Sequence, residues 1–210
     1  MKVTKYEHAT LLVSIGDDNL IIDPGLYLSL ADFSKVVAIV ITHEHGDHWT
    51  PDQLNRILER SPDARILGPA GVAKAAADFD VEVVKAGDSV EVGPFALTFF
   101  GEKHALIHES IPVPDNVGVM VNDELYYPGD SYTVPDAGVG TLAAPIGAPW
   151  LKIGDAMDFV LAVKPQRAFY AHDMTLSVAG KGMHIERLKW ATEQVEGEFH
   201  TLEVGESLDI

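Results

Sequence analysis

The chain has 210 residues, with 32 acidic against 15 basic side chains and a formal net charge of −17. Such a field repels polyphosphate backbones, so nucleic acid is excluded as an expected partner. The absence of cysteine rules out disulfides and thiolate metal sites. No run of about 18 apolar residues occurs, so no membrane span is expected. The N-terminal MKVTKYEHATLLV lacks the basic, apolar and small-residue order of a secretory signal. A cytoplasmic location is the expectation. One domain over residues 1–210 is also expected, since a chain of this length can bury about 70% of its unfolded surface in a single core.

In chain order, short apolar runs predict strands at 9–15 (ATLLVSI), 19–25, 36–42 (VVAIVIT), 64–69, 81–84, 95–101, 117–121, 124–130, 141–147 and 167–173, with a late strand around His200. Helices are predicted between them. Thr50-Pro51-Asp52-Gln53 reads as a capped start, with Thr50 at the N-cap, Pro51 at the first helical position and Gln53 placed to return a bond. Leu54, Ile57 and Leu58 share one face of that helix. Further helices are expected over 71–79, 154–163 and 182–196, the last presenting Ile185, Leu188 and Trp190. A hairpin-rich first half followed by mixed strands and helices predicts two packed sheets with helices outside, an α/β architecture. The chain also echoes itself: GDDNLIIDPG resembles VNDELYYPGD, and VVAIVITH resembles RAFYAH.

The chemistry is concentrated in THEHGDHW, residues 42–49, directly after the 36–42 run. At a strand end the chain turns, and a His-x-His pair such as His43 and His45 can aim both imidazoles at one point. Gly46 permits a sharp bend, and Asp47 and His48 follow as the chain enters the next helix. A helical His-Glu-x-x-His zinc motif is excluded because position 47 is Asp and the segment precedes the helix. Four ligand-type groups around one bend exceed the three protein ligands of a catalytic zinc, so a second cation is the natural use of the surplus. The additional ligands should stand at other strand ends. His104 after FALTFFGEK, Asp130 closing ELYYPGD and His172 closing AFYA meet that condition. His108 rivals His104 but lies farther from its strand, whereas His184 falls within a predicted helix and His200 within a late strand.

HEHGDH, His104, Asp130 in PGDS and His172, in this order, resemble the metal-binding set of the metallo-β-lactamase superfamily. Asp23 in LIIDPG matches that family's early aspartate. The resemblance spans most of the chain. Its local style is similar to the small bacterial branch that includes L-ascorbate-6-phosphate lactonase and phospholipase D type hydrolases. It implies a four-layer αββα sandwich in which His43, His45 and His104 hold one metal, Asp47, His48 and His172 hold another, and Asp130 bridges them. Asp23 would then fix a ligand imidazole from behind.

Two divalent metal ions are therefore the expected cofactors, zinc ahead of manganese or iron. A pair about 3.5 to 4 Å apart supplies hydroxide at neutral pH and stabilises developing negative charge. The expected function is a binuclear hydrolase acting through a metal-bridging hydroxide on a small-molecule ester, lactone or phosphodiester. Asp47 is essential to that expectation, and His108 and Tyr132 are the available proton donors. The segments 105–116 and 146–154, the latter carrying Trp150, are the expected cleft rims, with Lys103, Lys152 and Lys181 the bases near them. Two alternatives come from other classes: a di-iron redox protein on the same fold, which would usually travel with a flavin or rhodanese domain, and a metal-stabilised binding module without turnover. A homo-oligomer is left open.

Overall fold

Alternation of side chains along the strands decides how the layers stack. Leu20 and Ile22 turn one way and Ile21 the other; Ala38 and Val40 face with the first pair, Ile39 and Ile41 with the second. Both faces of these strands are apolar, so both must be covered. The computed structural model describes residues 1–29 and 33–210. Its elements in chain order are β1 (Lys2–Lys5), β2 (Leu11–Ile15), β3 (Asp18–Ile22), β4 (Val36–Val40), α1 (Pro51–Arg60), β5 (Arg65–Gly68), α2 (Ala70–Ala75), β6 (Val81–Val83), β7 (Ser89–Val92), β8 (Phe95–Phe100), β9 (Gly118–Val121), β10 (Leu125–Tyr127), β11 (Thr141–Pro145), α3 (Ile153–Val163), β12 (Arg167–Ala171), α4 (Val178–Gln194), β13 (Glu198–His200) and β14 (Ser207–Asp209).

Among the described residues the strands form two seven-stranded sheets, ordered β14-β1-β2-β3-β4-β5-β6 and β13-β12-β11-β10-β9-β8-β7. Three apolar layers result. Leu11, Val13, Leu20, Phe95, Leu97, Phe99 and Phe169 help fill the space between the sheets. Ile39, Ile66, Leu54, Ile57 and Val72 join the first sheet to α1 and α2. Met120, Leu142, Tyr170, Phe159, Val160 and Leu188 join the second sheet to α3 and α4. This is the expected αββα sandwich.

All ten predicted apolar runs contain strands, and β13 covers the late strand around His200. The strands not foreseen, β1, β7 and β14, are short and polar-rich; β7 and β14 are sheet edges, where apolar alternation is weakest. The capped start at Thr50 holds in half: the Thr50 hydroxyl accepts from Gln53 N at 3.2 Å, but the Gln53 amide donates to Leu28 O at 2.8 Å instead of returning the bond. Helix α4 begins at Val178, four residues before its predicted start, because Ser177 caps it by accepting from Gly180 N. Trp190 is exposed; the buried face of α4 carries Leu188, Ala191 and Thr192.

The hairpin echo corresponds to topology. The β2–β3 hairpin is followed in its sheet by parallel β4, and the β9–β10 hairpin by parallel β11. The second echo does not, since VVAIV is β4, adjacent to β3, whereas RAFYA is β12, two places from β10.

Phe169 is fully buried between the sheets. Phe169→Ala is expected to lower unfolding free energy by about 3–5 kcal/mol. Thr50→Ala should cost only about 1 kcal/mol. Urea titrations of the two variants check this ordering, and equal losses would contradict the layer assignment.

Candidate metal centre

The site lies where strand ends of both sheets meet. After β4, residues Ile41, Thr42 and His43 remain fully buried, and the bend through Gly46 delivers His45, Asp47 and His48 before α1 begins. The segment after β3 packs directly beneath this bend. Leu26 N donates to Gly46 O at 2.9 Å, and a Cβ at Gly25 would lie 1.8 Å from Asp47 O. Only glycine allows that approach.

Asp23, at the end of β3, is fully buried and organises the bend. Its Oδ1 accepts from Thr42 N at 2.8 Å, and its Oδ2 accepts from the Thr42 hydroxyl at 2.7 Å and from His48 Nδ1 at 2.6 Å. The Thr42 hydroxyl proton is thus spent on Asp23, leaving its oxygen to accept from His43 Nδ1 at 3.1 Å. From the second sheet, the turn after β10 carries Asp130. Buried Asn116 braces that turn by donating to Pro128 O at 2.9 Å and accepting from Asp130 N at 3.0 Å. His104 follows β8, and its Nδ1 donates to Ala105 O at 2.5 Å. His172 follows β12, and its Nδ1 donates to Gly147 O at 2.5 Å.

These contacts decide the tautomers. His48, His104 and His172 each place Nδ1–H on an oxygen outside the cluster, so each turns Nε2 inward. Two nests result. One contains His43, His45 and His104; the other contains Asp47, His48, His172 and also His8. Asp130 lies between them, with Oδ1 at 3.3 Å from His48 Nε2 and 3.2 Å from His172 Nε2, and Oδ2 at 3.3 Å from His104 Nε2. All seven side chains expected as ligands are therefore brought together.

The donor set fits divalent cations. Two ligand atoms about 2.0–2.1 Å from a tetrahedral ion are about 3.3 Å apart. His43 Nε2 faces His45 Nδ1 at 3.0 Å, and His48 Nε2 faces His172 Nε2 at 3.2 Å. With Nδ1 already protonated on His48 and His172, their facing Nε2 atoms are two lone pairs in the neutral rings and two N–H groups in the doubly protonated pair, neither of which attracts; only a single shared proton or a cation joins them. A shared cation resolves the conflict. Buried His104 Nε2 and Asp130 Oδ1 also lack hydrogen-bond partners, and such orphaned atoms need an explanation of this kind.

Electrostatics divides the ligand-type groups in the metal-free protein. Burial holds the His43 imidazole well below its ordinary value, with nearby His48 adding to the effect. Burial also lowers His172, but Asp130 and Asp47 outweigh it and raise the group to about 9. His48 is likewise raised, Asp130 and Asp23 overcoming desolvation. Burial raises the Asp47 and Asp130 carboxyls, yet the surrounding imidazoles hold both well below the usual carboxylate range.

Other expected residues fall differently. His108 is exposed and turned onto its own loop, its Nδ1 paired with Ser110 Oγ at 2.7 Å, so the structure does not bring it to the centre. The rim tryptophan reaches the centre itself: Trp150 Nε1 donates to Asp130 Oδ2 at 2.8 Å. The Tyr132 ring packs edge-on against Trp150, one residue removed from the cluster, and burial raises its phenol. Lys103, Lys152 and Lys181 all face acids: Asp115 at 2.7 Å, Asp155 at 3.6 Å, and Asp173 at 2.8 Å with Glu203 at 3.2 Å. Sequence reasoning misses His8. It belongs to no predicted strand end, being held in a turn after β1 by a left-handed backbone at φ 59°.

Fold and site together define a protein of the metallo-β-lactamase superfamily with a His/Asp cluster suited to divalent cations. The chain belongs to the beta-lactamase superfamily domain family, whose model matches residues 2–172. It is 33% identical to protein Rv0786c of Mycobacterium tuberculosis over 208 residues, covering 96% of each chain. Among solved structures it resembles Igni18, a metallo hydrolase from Ignicoccus hospitalis, with a TM-score of 0.75, 17% identity and coverage of 99% of this chain and 97% of that one. It also resembles CmlA, a diiron β-hydroxylase from Streptomyces venezuelae, with a TM-score of 0.72, 14% identity and coverage of 100% of this chain and 54% of that one. No helix among the described residues is long and apolar enough to cross a membrane.

Asp23→Asn places an amide N–H where His48 Nδ1–H now donates, or else turns that amide against Thr42 N–H. The affinity for divalent cation should fall about 10- to 100-fold. Competition against a chromogenic chelator measures this, and unchanged affinity would contradict the tautomer assignment.

Proposed function

We propose that this protein is a binuclear metal-dependent hydrolase of a small, uncharged ester or lactone that carries an apolar group. The facing imidazole nitrogens of the two nests, joined at Asp130, are the observation that carries this reading. His43, His45 and His104 would hold one ion, Asp47, His48 and His172 the other, and Asp130 would bridge. Nitrogen and carboxylate donors without thiolate suit zinc first, then manganese or iron. The ions would supply Lewis acidity and make water ionisable at neutral pH.

The chain's own side chains then set what is hydrolysed. Trp150 fixes the Asp130 carboxylate. The loop 105–116 is tied to the centre through His104 N→Pro114 O at 3.1 Å and Ala105 N→Asp130 O at 2.8 Å, and it exposes Leu106, Ile111 and Val113. On the other side, Tyr27 lies against His8, Met174 N donates to His8, and the Tyr27 and Met174 side chains are exposed. Apolar groups gathered around one centre suit an apolar substrate. The three lysines near the rims are each paired with acids, which favours an uncharged substrate over a phosphodiester. Tyr132, with its neutral phenol beside Trp150, is the remaining expected donor, and it would act on a leaving group rather than on the ions.

The similarity to CmlA is one of fold and supports the di-iron alternative only to that extent. The choice between reactions is made by assay. Protein stripped with a chelator and reloaded with zinc or manganese should hydrolyse p-nitrophenyl acetate, butyrate and hexanoate with kcat/KM rising by up to ~4-fold per methylene. It should turn over bis-p-nitrophenyl phosphate more slowly. Asp47→Ala should abolish turnover while the metal-free melting transition is retained. Full activity in that variant would overturn the two-ion reading, and preferential cleavage of the phosphodiester would replace the ester class.

A further inference from the structure

His8 is 1% exposed and touches the Asp47–His48–His172 nest from three directions. Its carbonyl accepts from His172 N at 2.7 Å. Its ring lies on the His172 ring with centroids 3.8 Å apart. Its Nε2 stands 3.2 Å from Asp47 Oδ2. By position alone His8 could be a fourth ligand there. The other ring nitrogen decides otherwise. Met174 N donates to His8 Nδ1 at 3.2 Å, so Nδ1 carries the lone pair and Nε2 carries the proton in the neutral ring. An Nε2–H aimed at Asp47 donates a hydrogen bond and offers no lone pair to a cation.

Asp47 needs such a donor. It is the most exposed acid of the cluster, about 29% accessible, on the bend beyond Gly46. Other inward-facing groups each have a bond that orients them: His48, His104 and His172 through the far ring nitrogen to Asp23, Ala105 O and Gly147 O, and Asp130 through Trp150 at Oδ2. For Asp47, His8 is the hydrogen-bonded side chain that fills this place. Because the same residue supports His172 through its backbone and ring, it couples the two ends of one nest, which come from opposite sheets.

We infer that His8 is the positioning residue of the Asp47–His48–His172 nest, orienting the Asp47 carboxylate through Nε2–H so that this nest holds its cation. The inference rests on the proposed binuclear reading. It assigns His8 no direct part in bond cleavage.

The test is calorimetric titration of chelator-stripped protein with zinc, comparing wild type with three variants, and the metal-free melting transition of each is recorded. His8→Phe keeps a ring against His172 but removes both nitrogens. His8→Asn places an amide at the level of Nδ1, able to accept from Met174 N but too short to reach Asp47. His8→Gln places an amide N–H near the position of Nε2. Wild type should bind two equivalents. His8→Phe and His8→Asn should bind the first equivalent normally and the second about 10- to 100-fold more weakly. His8→Gln should restore the second to within a few-fold. A residue that merely filled space would show the opposite order, with Phe closest to wild type. If His8→Phe fails to fold, the Asn and Gln pair decides, since both are amides and differ chiefly in reach. Equal affinity for the second equivalent in Asn, Gln and wild type would overturn the role of His8 and leave the binuclear reading intact. Wild type that takes up one equivalent or none would overturn both.

Discussion

A buried carboxylate at the end of β3 ties the centre to the fold. Asp23 is shielded from water, where a charge without partners would be costly, but three donors converge on it: Thr42 N, the Thr42 hydroxyl and His48 Nδ1. Each does separate work. The backbone bond clamps the exit of β4 to the exit of β3, the hydroxyl bond frees the Thr42 oxygen to receive His43, and the imidazole bond turns His48 Nε2 inward. Remove the acid, and the bend that carries four of the seven ligand-type groups loses both its anchor and its tautomers. The turn Asp23-Pro24-Gly25 is therefore more than a chain reversal. Its glycine lets Asp47's backbone lie against it, and its aspartate adopts φ 50°, a left-handed conformation uncommon for a side-chain-bearing residue.

Half-fold equivalence explains why such a centre can form between two sheets. In each, an antiparallel hairpin hands over to parallel strands, and the last hairpin strand ends on an aspartate turn: Asp23 after β3 and Asp130 after β10. The two acids have diverged in use. Asp23 faces backward and organises imidazoles; Asp130 faces the cluster and stands between two nests. Asn116 and Trp150 account for part of that difference. Asn116 fills the turn behind Asp130, where a Cβ on Gly129 would lie 2.5 Å from the Asn116 Oδ1, and Trp150 donates to the carboxylate itself.

Much of this is legible in the sequence for physical reasons. Interior strands of a four-layer sandwich are covered on both faces and so read as apolar runs, and ligand-type residues at strand exits follow such runs at once, as His43 and His172 do, or within a few residues, as His104 does. What escapes is what does not depend on apolar periodicity. At the sheet edges, β7 brings only Val90 and Val92 to the core and β14 only Leu208. The first strand holds a buried lysine, Lys5, paired with Asp173 and so reading as polar. His8 follows that strand within three residues, so recognising β1 would place a histidine at one more strand exit. Composition puts Trp150 on a rim, but its bond to Asp130 depends on how the 146–152 segment crosses the strand ends. His108 is close to His104 in sequence, yet the 105–116 loop carries it outward.

Three members of this network, His8, Asp23 and His172, share left-handed backbones at φ 59°, 50° and 57°. Such conformations cost of order 1 kcal/mol or more apiece and persist where surrounding contacts over-determine them. Here the over-determination is visible, since His172 N is held by His8 O, His8 Nδ1 by Met174 N, and Asp23 by Thr42. The metal-free cluster adds its own cost, because the neutral His48 and His172 rings would set Nε2 lone pair against Nε2 lone pair at 3.2 Å. Cations occupying the nests would remove that cost and bind the folded chain in preference to the unfolded one, so their binding free energy would become folding free energy. Strained turns at the strand exits and the proposed cation affinity are then two sides of one arrangement: the buried apolar layers hold the exits in unfavourable geometry, and that geometry is what points the ligand-type groups inward.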